Sequence, residues 1–499
     1  MILSGGSAVL AERDIEERQL GQEIELKLDL TPQAAADFLA SELASGDPLV
    51  LVRRAIYFDT PDNDLRAAGF SLRIREDVEG RLQIVKAVGA SAASLFVRPK
   101  WERKLEADIP VLDDATPIRA FVGSRADALQ PVFEVRTERK RWSVTWEGAS
   151  IDMALDRGDV MAGTRRTPIC EIELELVNGT PEALFSFARR LDAVAPLRLG
   201  VSSKAERGYL LLGPATRAVK AKPIHLTLQM SVSGAFRIIA DACLRQFRLN
   251  EALLETGDAE ALHQARVALR RLRSALSLFH KLLEDDMFEQ LKGELKWLAG
   301  VLGEVRDIDV LVARNKDGTL TQALTAARET AFRQAADDLE SPRARALLLD
   351  FAAWLACGQW HGLPGTRETR EQPIEDFAIT ALDRLRRKVK KSGKGLSGLD
   401  DEARHELRKS AKKLRYASEF FGSLFEGKRR QRSLERFLSR LEALQDQLGA
   451  LNDEAAAPEL LERLGLDGSP PRDIDRRKHT IRAAAKAHDA FVEEKRFWR

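Results

Sequence analysis

Between Glu23 and about Gly213, apolar and polar residues alternate. EIELKLDL, FSLRIRE, RLQIVK, FEVRTERKRWSVTW, SIDMALD and CEIELELV each change character at every second position. Successive side chains of a strand point to opposite faces, so this period predicts many antiparallel strands. Two segments break it, Thr31–Ser45 and Pro181–Ala195. Each opens on Thr-Pro, with the threonine placed to cap and the proline suited to a first turn, so short helices are expected there. After GPATRAVKAKP the period lengthens to 3.6 and holds almost to Arg499, with Gly/Pro punctuation near Lys316–Gly318, Gly362–Gly365 and Gly468–Pro471. The expected organisation is a β-rich α+β domain over residues 20–213, a linker over 214–224 and an all-helical domain over 225–499.

The helical half repeats itself. HQARVALRRLRSALSLF, from His263, aligns with HELRKSAKKLRYASEFF, from His405, and sets Leu269, Leu272 and Phe279 against Ala411, Leu414 and Phe421. LGEVRDIDV from Leu302 then aligns with LGALNDEAA from Leu448, so a basic helix, a Leu-Gly turn and an acid-bearing segment are expected twice. Two pseudo-symmetric helical bundles are the natural packing. On the first copy His263, Arg266, Arg270 and Arg273 fall on one longitudinal stripe beside the apolar one, and His405, Arg408, Lys412 and Arg415 repeat the spacing. Stacked copies bring both stripes towards one surface, thickened by Arg271, Lys409 and Lys413. Asp307 and Asp309 are placed to orient these cations, and Asp453, after Asn452, is expected to cap a helix. Trp297, Trp354 and Trp360 are expected in the core.

In the first half the polar positions are sorted by sign. Glu23, Glu25 and Lys27 share one face of a strand, as do Glu171, Glu173 and Glu175. Arg73 and Arg75 share a face, and so do Arg139 and Arg141. A solvated antiparallel sheet also alternates, but it mixes signs along a face, whereas here acids lie at both ends of the domain and bases between. A closed barrel with a charged interior explains that sorting. Carboxylates without His or Cys favour hard cations, Mg²⁺ or Mn²⁺, and arginine forks match phosphate oxygens. Lys86 adds a point charge, although Leu82 and Ile84 share its face. Two metals and a basic cradle supply the charge neutralisation that phosphoryl transfer needs, with a carboxylate of Glu23, Glu25 or Glu171 taking a proton from water. No P-loop signature occurs.

Composition narrows the partners. The formal net charge is only +2, from 79 basic and 77 acidic side chains, so polyanion binding has to come from local clustering. The three cysteines, Cys170, Cys243 and Cys357, lie far apart and fit neither a disulfide framework nor structural zinc; they read as buried small residues. The opening MILSGGSAVLAERDIEERQ is not a secretory signal and no apolar run reaches membrane-spanning length, so a cytoplasmic location is expected, with no membrane partner. Base-stacking aromatics do not interleave with the bases, so nucleic acid is not expected as a partner.

The E-x-E-x-K of Glu23, Glu25 and Lys27 resembles the CYTH family, the triphosphate tunnel metalloenzymes. Further blocks in order strengthen the likeness to the inorganic triphosphatase branch: YFDTPDNDLRAAGFSLRIRE, the VRP of Val97 to Pro99, the KRW ending at Trp142, PICEIELEL and SKAERGY. The resemblance implies an eight-stranded antiparallel tunnel with flanking helices. It also implies Glu23, Glu25, Glu171 and Glu173 around metals, with Asp152 or Asp156 as a further acid, and Lys27, Arg73, Arg75, Lys86, Arg139 and Lys204 around triphosphate, with Arg141 as an addition. The helical half resembles the CHAD domain through its repeated segments. That likeness implies polyphosphate binding by the two stripes, with polyphosphate granules as one place of association. The expected function is metal-dependent hydrolysis of inorganic triphosphate beside a polyphosphate-binding domain. The alternatives are an organic triphosphate hydrolase or adenylate cyclase using the same tunnel, or a non-catalytic polyphosphate binder, against which the complete acidic sets argue.

Overall fold

A computed structural model describes residues 22–499 apart from 88–89, 93–94, 114–115, 117, 215–216, 255–256, 316–317 and 467–473. The reading of the N-terminal stretch and the punctuation at 316–317 and 468–471 therefore lie outside the described residues. The chain divides into two compact units after Thr216, with Leu348–Cys357 assigned to the first.

The first unit is one antiparallel sheet. Its strands are β1 (Gln22–Leu30), β2 (Leu49–Asp59), β3 (Phe70–Asp77), β4 (Gly80–Ala87), β5 (Ala90–Ala92), β6 (Leu95–Leu105), β7 (Gln130–Trp146), β8 (Ala149–Ala162), β9 (Arg165–Asn178) and β10 (Leu197–Leu199). Their order is β10-β1-β9-β8-β7-β2-β3-β4-β6-β5, and β1 pairs with β6 as well as β9. That second pairing, from Gln22↔Pro99 to Leu26↔Leu95, closes the eight longer strands on themselves, while the three-residue β5 and β10 add to the seam. The closed barrel expected from the charge sorting, and the eight strands that the resemblance implies, are thus formed. Closure removes the sheet edges and turns one face of every strand inward.

Period two dictates what each face carries. Leu26, Leu28, Ile172 and Leu174 are wholly buried on the outer face, next to the helices Pro32–Ala40 and Pro181–Asp192. Phe38 meets Trp142 edge-on at 5.5 Å, and Trp146 Nε1 donates to Ser186 Oγ at 3.0 Å. Thr31 caps its helix as expected, its hydroxyl accepting from the Ala34 amide at 3.1 Å. Thr180 makes no side-chain cap; Pro181 and Glu182 in the first turn set that start instead.

The YFDTPD segment is structural. Asp59 is fully buried and accepts from the amides of Thr60 (2.8 Å), Leu65 (2.8 Å) and Arg66 (3.1 Å) and from the Tyr209 hydroxyl (2.6 Å). Burial, then the hydrogen bond to Asp59, push the Tyr209 phenol well above its ordinary range. The same bond fastens the helix Lys204–Leu212, which opens on a Ser203/Glu206 capping box. Gly208 lets that helix approach β7: a Cβ there would lie 2.2 Å from the Phe133 ring. Gly208→Ala is therefore expected to cost about 1–3 kcal/mol by overpacking, read as a lower midpoint in denaturant unfolding.

The second unit is helical, with Val232–Glu251, Ala259–Phe279, Phe288–Arg314, Gly318–Glu340, Ile374–Ser392, Asp401–Phe421, Lys428–Arg463 and Ile474–Glu493 as its longer elements. Leu269, Leu272, Leu276 and Phe279 are buried, as are Ala411, Leu414 and Phe421 in the second copy. The Leu-Gly pairs differ from expectation. Leu302-Gly303 and Leu448-Gly449 lie inside the helices Phe288–Arg314 and Lys428–Arg463, not in turns, and Asp453 is mid-helix, where it pairs with Arg314 at 3.2 Å and caps nothing. The glycines have a packing role. A Cβ on Gly303 would lie 3.8 Å from Arg266 Nη2, and one on Gly449 3.9 Å from Arg408 Nε. The sequence repeat recurs as a repeated arginine-over-glycine contact. Trp354 and Trp360 are core, whereas Trp297 is half-buried under the Arg343 guanidinium, 3.9 Å from its ring centre. Cys243 is buried, while Cys170 and Cys357 are partly exposed, and none of the three is in a disulfide. Among the described residues no helix is long and apolar enough to cross a membrane.

Candidate functional site

The barrel encloses a cavity of about 320 Å³. It is lined by the bases Lys27, Arg53, Arg73, Arg75, Lys86, Lys100, Arg139, Arg141 and Lys204 and the acids Glu23, Glu25, Glu79, Glu102, Asp152, Asp156, Glu173 and Glu175. The two signs nearly balance. What the cavity binds is therefore decided by which charges are already matched.

One group is saturated. Asp156, Glu171 and Glu173 bring carboxylate oxygens within 4.8 Å of one another, the group among the described residues placed to hold a cation. Their charges are met by side chains. Lys204 Nζ lies 2.6 Å from Asp156 and 2.8 Å from Glu173 and also bonds Glu171. Arg139 Nε donates to Asp156 at 2.6 Å and its Nη2 reaches Glu173, and Lys27 bonds Glu173. Burial opposes all these charges, but the partners outweigh it: Lys27 and Lys204 are raised, Arg139 stands well above its ordinary value, and Glu173 falls well below the usual carboxylate range. Glu171 is wholly buried, anchors Lys204 and Arg207 (2.9 Å), and does not line the cavity. Glu171, expected around the metals, stands with Asp156 and Glu173 in the group of acids that could hold an ion.

A second group of acids lines the cavity. Glu23 meets Lys86 Nζ at 2.6 Å, Glu25 pairs with Lys27, and Lys100 lies 4.0 Å from Glu23. Glu175, on the same inner face of β9 as Glu173, is pushed up by burial and by Glu23 and Glu25. Glu175 stands opposite Glu25 in the β1–β9 ladder, and carboxylates gathered so, with oxygen donors only, are a hard-cation site by donor chemistry. Alternation shows Glu175 as the third acid of EIELEL, but the short hallmark directs attention to the first two. Lys86 does enter the cavity, beside Ile84.

The two aspartates of β8 separate by depth. Asp156 is buried beneath Arg139 and Lys204, whereas Asp152 is nearer solvent and pairs with Arg141. Arg73 donates to the Tyr57 hydroxyl at 2.9 Å; Arg75 is lowered by burial and then by Arg73. Arg53, Lys100 and Glu102 escaped the sequence reading because LVLVRRA and VRPKWERKL do not alternate cleanly.

In the helical unit the stripes meet in part. Burial, then Arg270, Arg408 and Arg266, press the Lys412 ammonium down to about 6. His263 Nδ1, Arg270 Nε and Arg408 Nε are buried without hydrogen-bond partners among the described residues. His263 is lowered by burial and by Arg306, and His405 Nδ1 meets Asn452 Oδ1. Arg266 pairs with Asp307 at 3.1 Å, whereas Asp309 is taken by Arg328. Arg273 lies by Lys413, and Arg415 is neutralised by Glu419 (2.9 Å) and Glu442 (3.6 Å). Arg271 is buried on Glu419 and thickens no surface, and Lys409 pairs with Glu406.

Two family models match this chain, one described as the CYTH domain over residues 21–209 and one as the CHAD domain over 238–462. The chain belongs to both families, a CYTH domain followed by a CHAD domain. An inorganic triphosphatase of Haemophilus influenzae is 33% identical over 200 residues, 38% of this chain. The chain spans 55% of that protein's length. An uncharacterized protein of Mycobacterium tuberculosis is 26% identical over 426 residues, covering 74% of this chain and 76% of its own. The crystal structure of the CHAD domain from the plant Ricinus communis is 29% identical with a TM-score of 0.45, over 56% of this chain and 93% of that one.

Proposed function

We propose that the CYTH barrel hydrolyses inorganic triphosphate with Mg²⁺ or Mn²⁺ and that the CHAD unit binds polyphosphate, the two joined by a linker at 214–224. The observation that carries the reading is the division of the barrel's interior charge. One acid group is matched by Lys27, Lys204 and Arg139, while Glu23, Glu25 and Glu175 gather three carboxylates on β1 and β9 and Arg53, Arg73 and Arg75 gather three guanidinium groups on β2 and β3. A magnesium polyphosphate carries both complements. The 33% identity to an inorganic triphosphatase supports the same choice. So does the lining: its one aromatic among the described residues, Tyr57, is 2% exposed and stacked on Phe133, leaving no ring face for a nucleobase.

Glu23, Glu25 and Glu175 offer only carboxylate oxygens, which fit a hard divalent ion, and they would hold it. Bound there, the ion would neutralise phosphate oxygens and acidify a coordinated water. Arg73 and Arg75 present guanidinium forks that fix phosphates in register, Lys204 and Arg139 are held at one depth by Asp156 and Glu173, and Glu23 or Glu25 takes the proton of the attacking water. The chemistry is positioning and charge neutralisation, with no covalent intermediate on the protein.

Phosphate release from tripolyphosphate, long-chain polyphosphate, ATP and thiamine triphosphate, each with Mg²⁺ or Mn²⁺, tests the reading. Tripolyphosphate is expected to give the highest kcat/KM. A preference for ATP or thiamine triphosphate sinks the inorganic assignment in favour of an organic triphosphatase. Cyclic AMP as the ATP product would make the barrel a cyclase.

A further inference from the structure

Arg53 stands on the inner face of β2, opposite Thr137 of β7, and both line the cavity. On its other side is the end of β3, where Asp77 is 1% exposed and does not line the cavity. Asp77 Oδ2 lies 3.3 Å from Arg53 Nε and 3.2 Å from Arg75 Nε, so one carboxylate backs two guanidinium groups from behind. These contacts are poorly aligned: Arg53 Nε, Arg75 Nε and Asp77 Oδ2 are all buried without a hydrogen-bond partner. Buried polar atoms left in that state cost free energy until something satisfies them.

The charge count leans the same way. Burial, then Arg139 and Arg75, lower Arg53 to about 10, with Asp156 and Asp77 only partly offsetting them. The Lys27 and Lys204 end of the cavity is crowded with carboxylates; this end holds arginines in excess. Arg53 and Arg75 both line the cavity and meet Asp77 through Nε, which leaves the Nη edge of each as the part of the fork suited to a phosphate.

We propose that Arg53 is a phosphate-binding residue of the tunnel, with Asp77 as the positioning residue that holds Arg53 and Arg75 as a paired clamp on one phosphate of a linear polyphosphate. This rests on the tunnel being the polyphosphate site. An incoming phosphate adds a second anionic partner to two guanidinium groups that share the single Asp77 carboxylate.

Steady-state kinetics on tripolyphosphate and calorimetric titration of the full chain with tripolyphosphate in EDTA test the assignment together. Arg53→Gln is expected to raise KM about tenfold or more, the size of a lost charge-assisted contact, with kcat within about threefold. The titrated affinity falls by the same factor, and Arg53→Lys recovers part of both losses by restoring charge without the fork. Asp77→Asn raises KM less than Arg53→Gln. Unchanged KM and unchanged titration in Arg53→Gln overturn the proposal, as does a fall in kcat alone. Should Arg53→Gln not fold, Arg53→Lys decides: wild-type KM and affinity in that variant count against a fork contact. Wild-type protein that binds tripolyphosphate but releases no phosphate would refute the hydrolase reading while leaving the Arg53 result readable.

Discussion

Glu23→Gln combined with Glu25→Gln is expected to lower phosphate release from tripolyphosphate by roughly a thousandfold, the scale seen when the groups that organise transition-state charge are removed. The physical case is local. Glutamine keeps the shape of both side chains, so β1 keeps its register with β6 and β9, and Lys27 retains Glu173 as its partner. What disappears is the pair of carboxylates that line the cavity beside Glu175. Glu175 loses the two neighbours that, after burial, push its carboxyl up. Lys86 and Lys27 each lose a carboxylate partner, so the variant is expected to melt somewhat below the wild-type temperature while its Mn²⁺ affinity, followed by electron paramagnetic resonance, drops at least tenfold. Stable protein with intact Mn²⁺ binding and intact turnover would place the metal at Asp156 and Glu173 instead. Wild-type turnover without metal binding would remove metal from the reaction altogether.

The inner face of the barrel was legible because period two holds along most of each strand, the register shifting only at Tyr57/Phe58 and Ser150/Ile151 among the described pairings. Glu23, Glu25, Lys27, Arg73, Arg75, Arg139 and Glu173 fall inside because their odd-numbered neighbours on each strand do. Alternation does not report pairing. The sequence separates acids from bases along the chain, but strand order places β9 between β1 and β8, which sets Glu173 opposite Lys27 and Ala154 and its carboxylate among bases. Glu171 shows the same limit: it shares the inner face, yet Lys204 and Arg207 from the following helix bury it. The helical repeat gave the stripes but not their neighbours. Gly303 and Gly449 look like turn residues until the guanidinium groups beside them are known, and Arg415 looks like part of the stripe until Glu419 is placed.

The helical unit offers a test of opposite sign, in which function and stability oppose each other at one residue. Arg270→Glu with Lys412→Glu is expected to abolish binding of long-chain polyphosphate by the CHAD unit, because it places acids where Arg266, Arg270, Arg408 and Lys412 crowd one another. A full chain carrying Glu23→Gln and Glu25→Gln keeps the ligand intact during the titration. Lys412 alone gives a finer readout. Its folded value is about 6 against 10.5 for an ordinary lysine, so between those values the unfolded chain holds more protons and folding stability rises with pH. At neutral pH the lysine is a burden on the free protein, and Lys412→Met is expected to raise the melting temperature there. A polyanion reverses the balance by restoring the charged form. Wild-type binding should take up a proton near pH 7 and weaken as pH rises from 6 to 8, by up to about tenfold per pH unit for one linked proton. Lys412→Met should flatten that dependence. Affinity independent of pH in the wild type, or a Lys412→Met variant that binds as well as it does, would move the polyphosphate site away from the meeting of the two repeated helices.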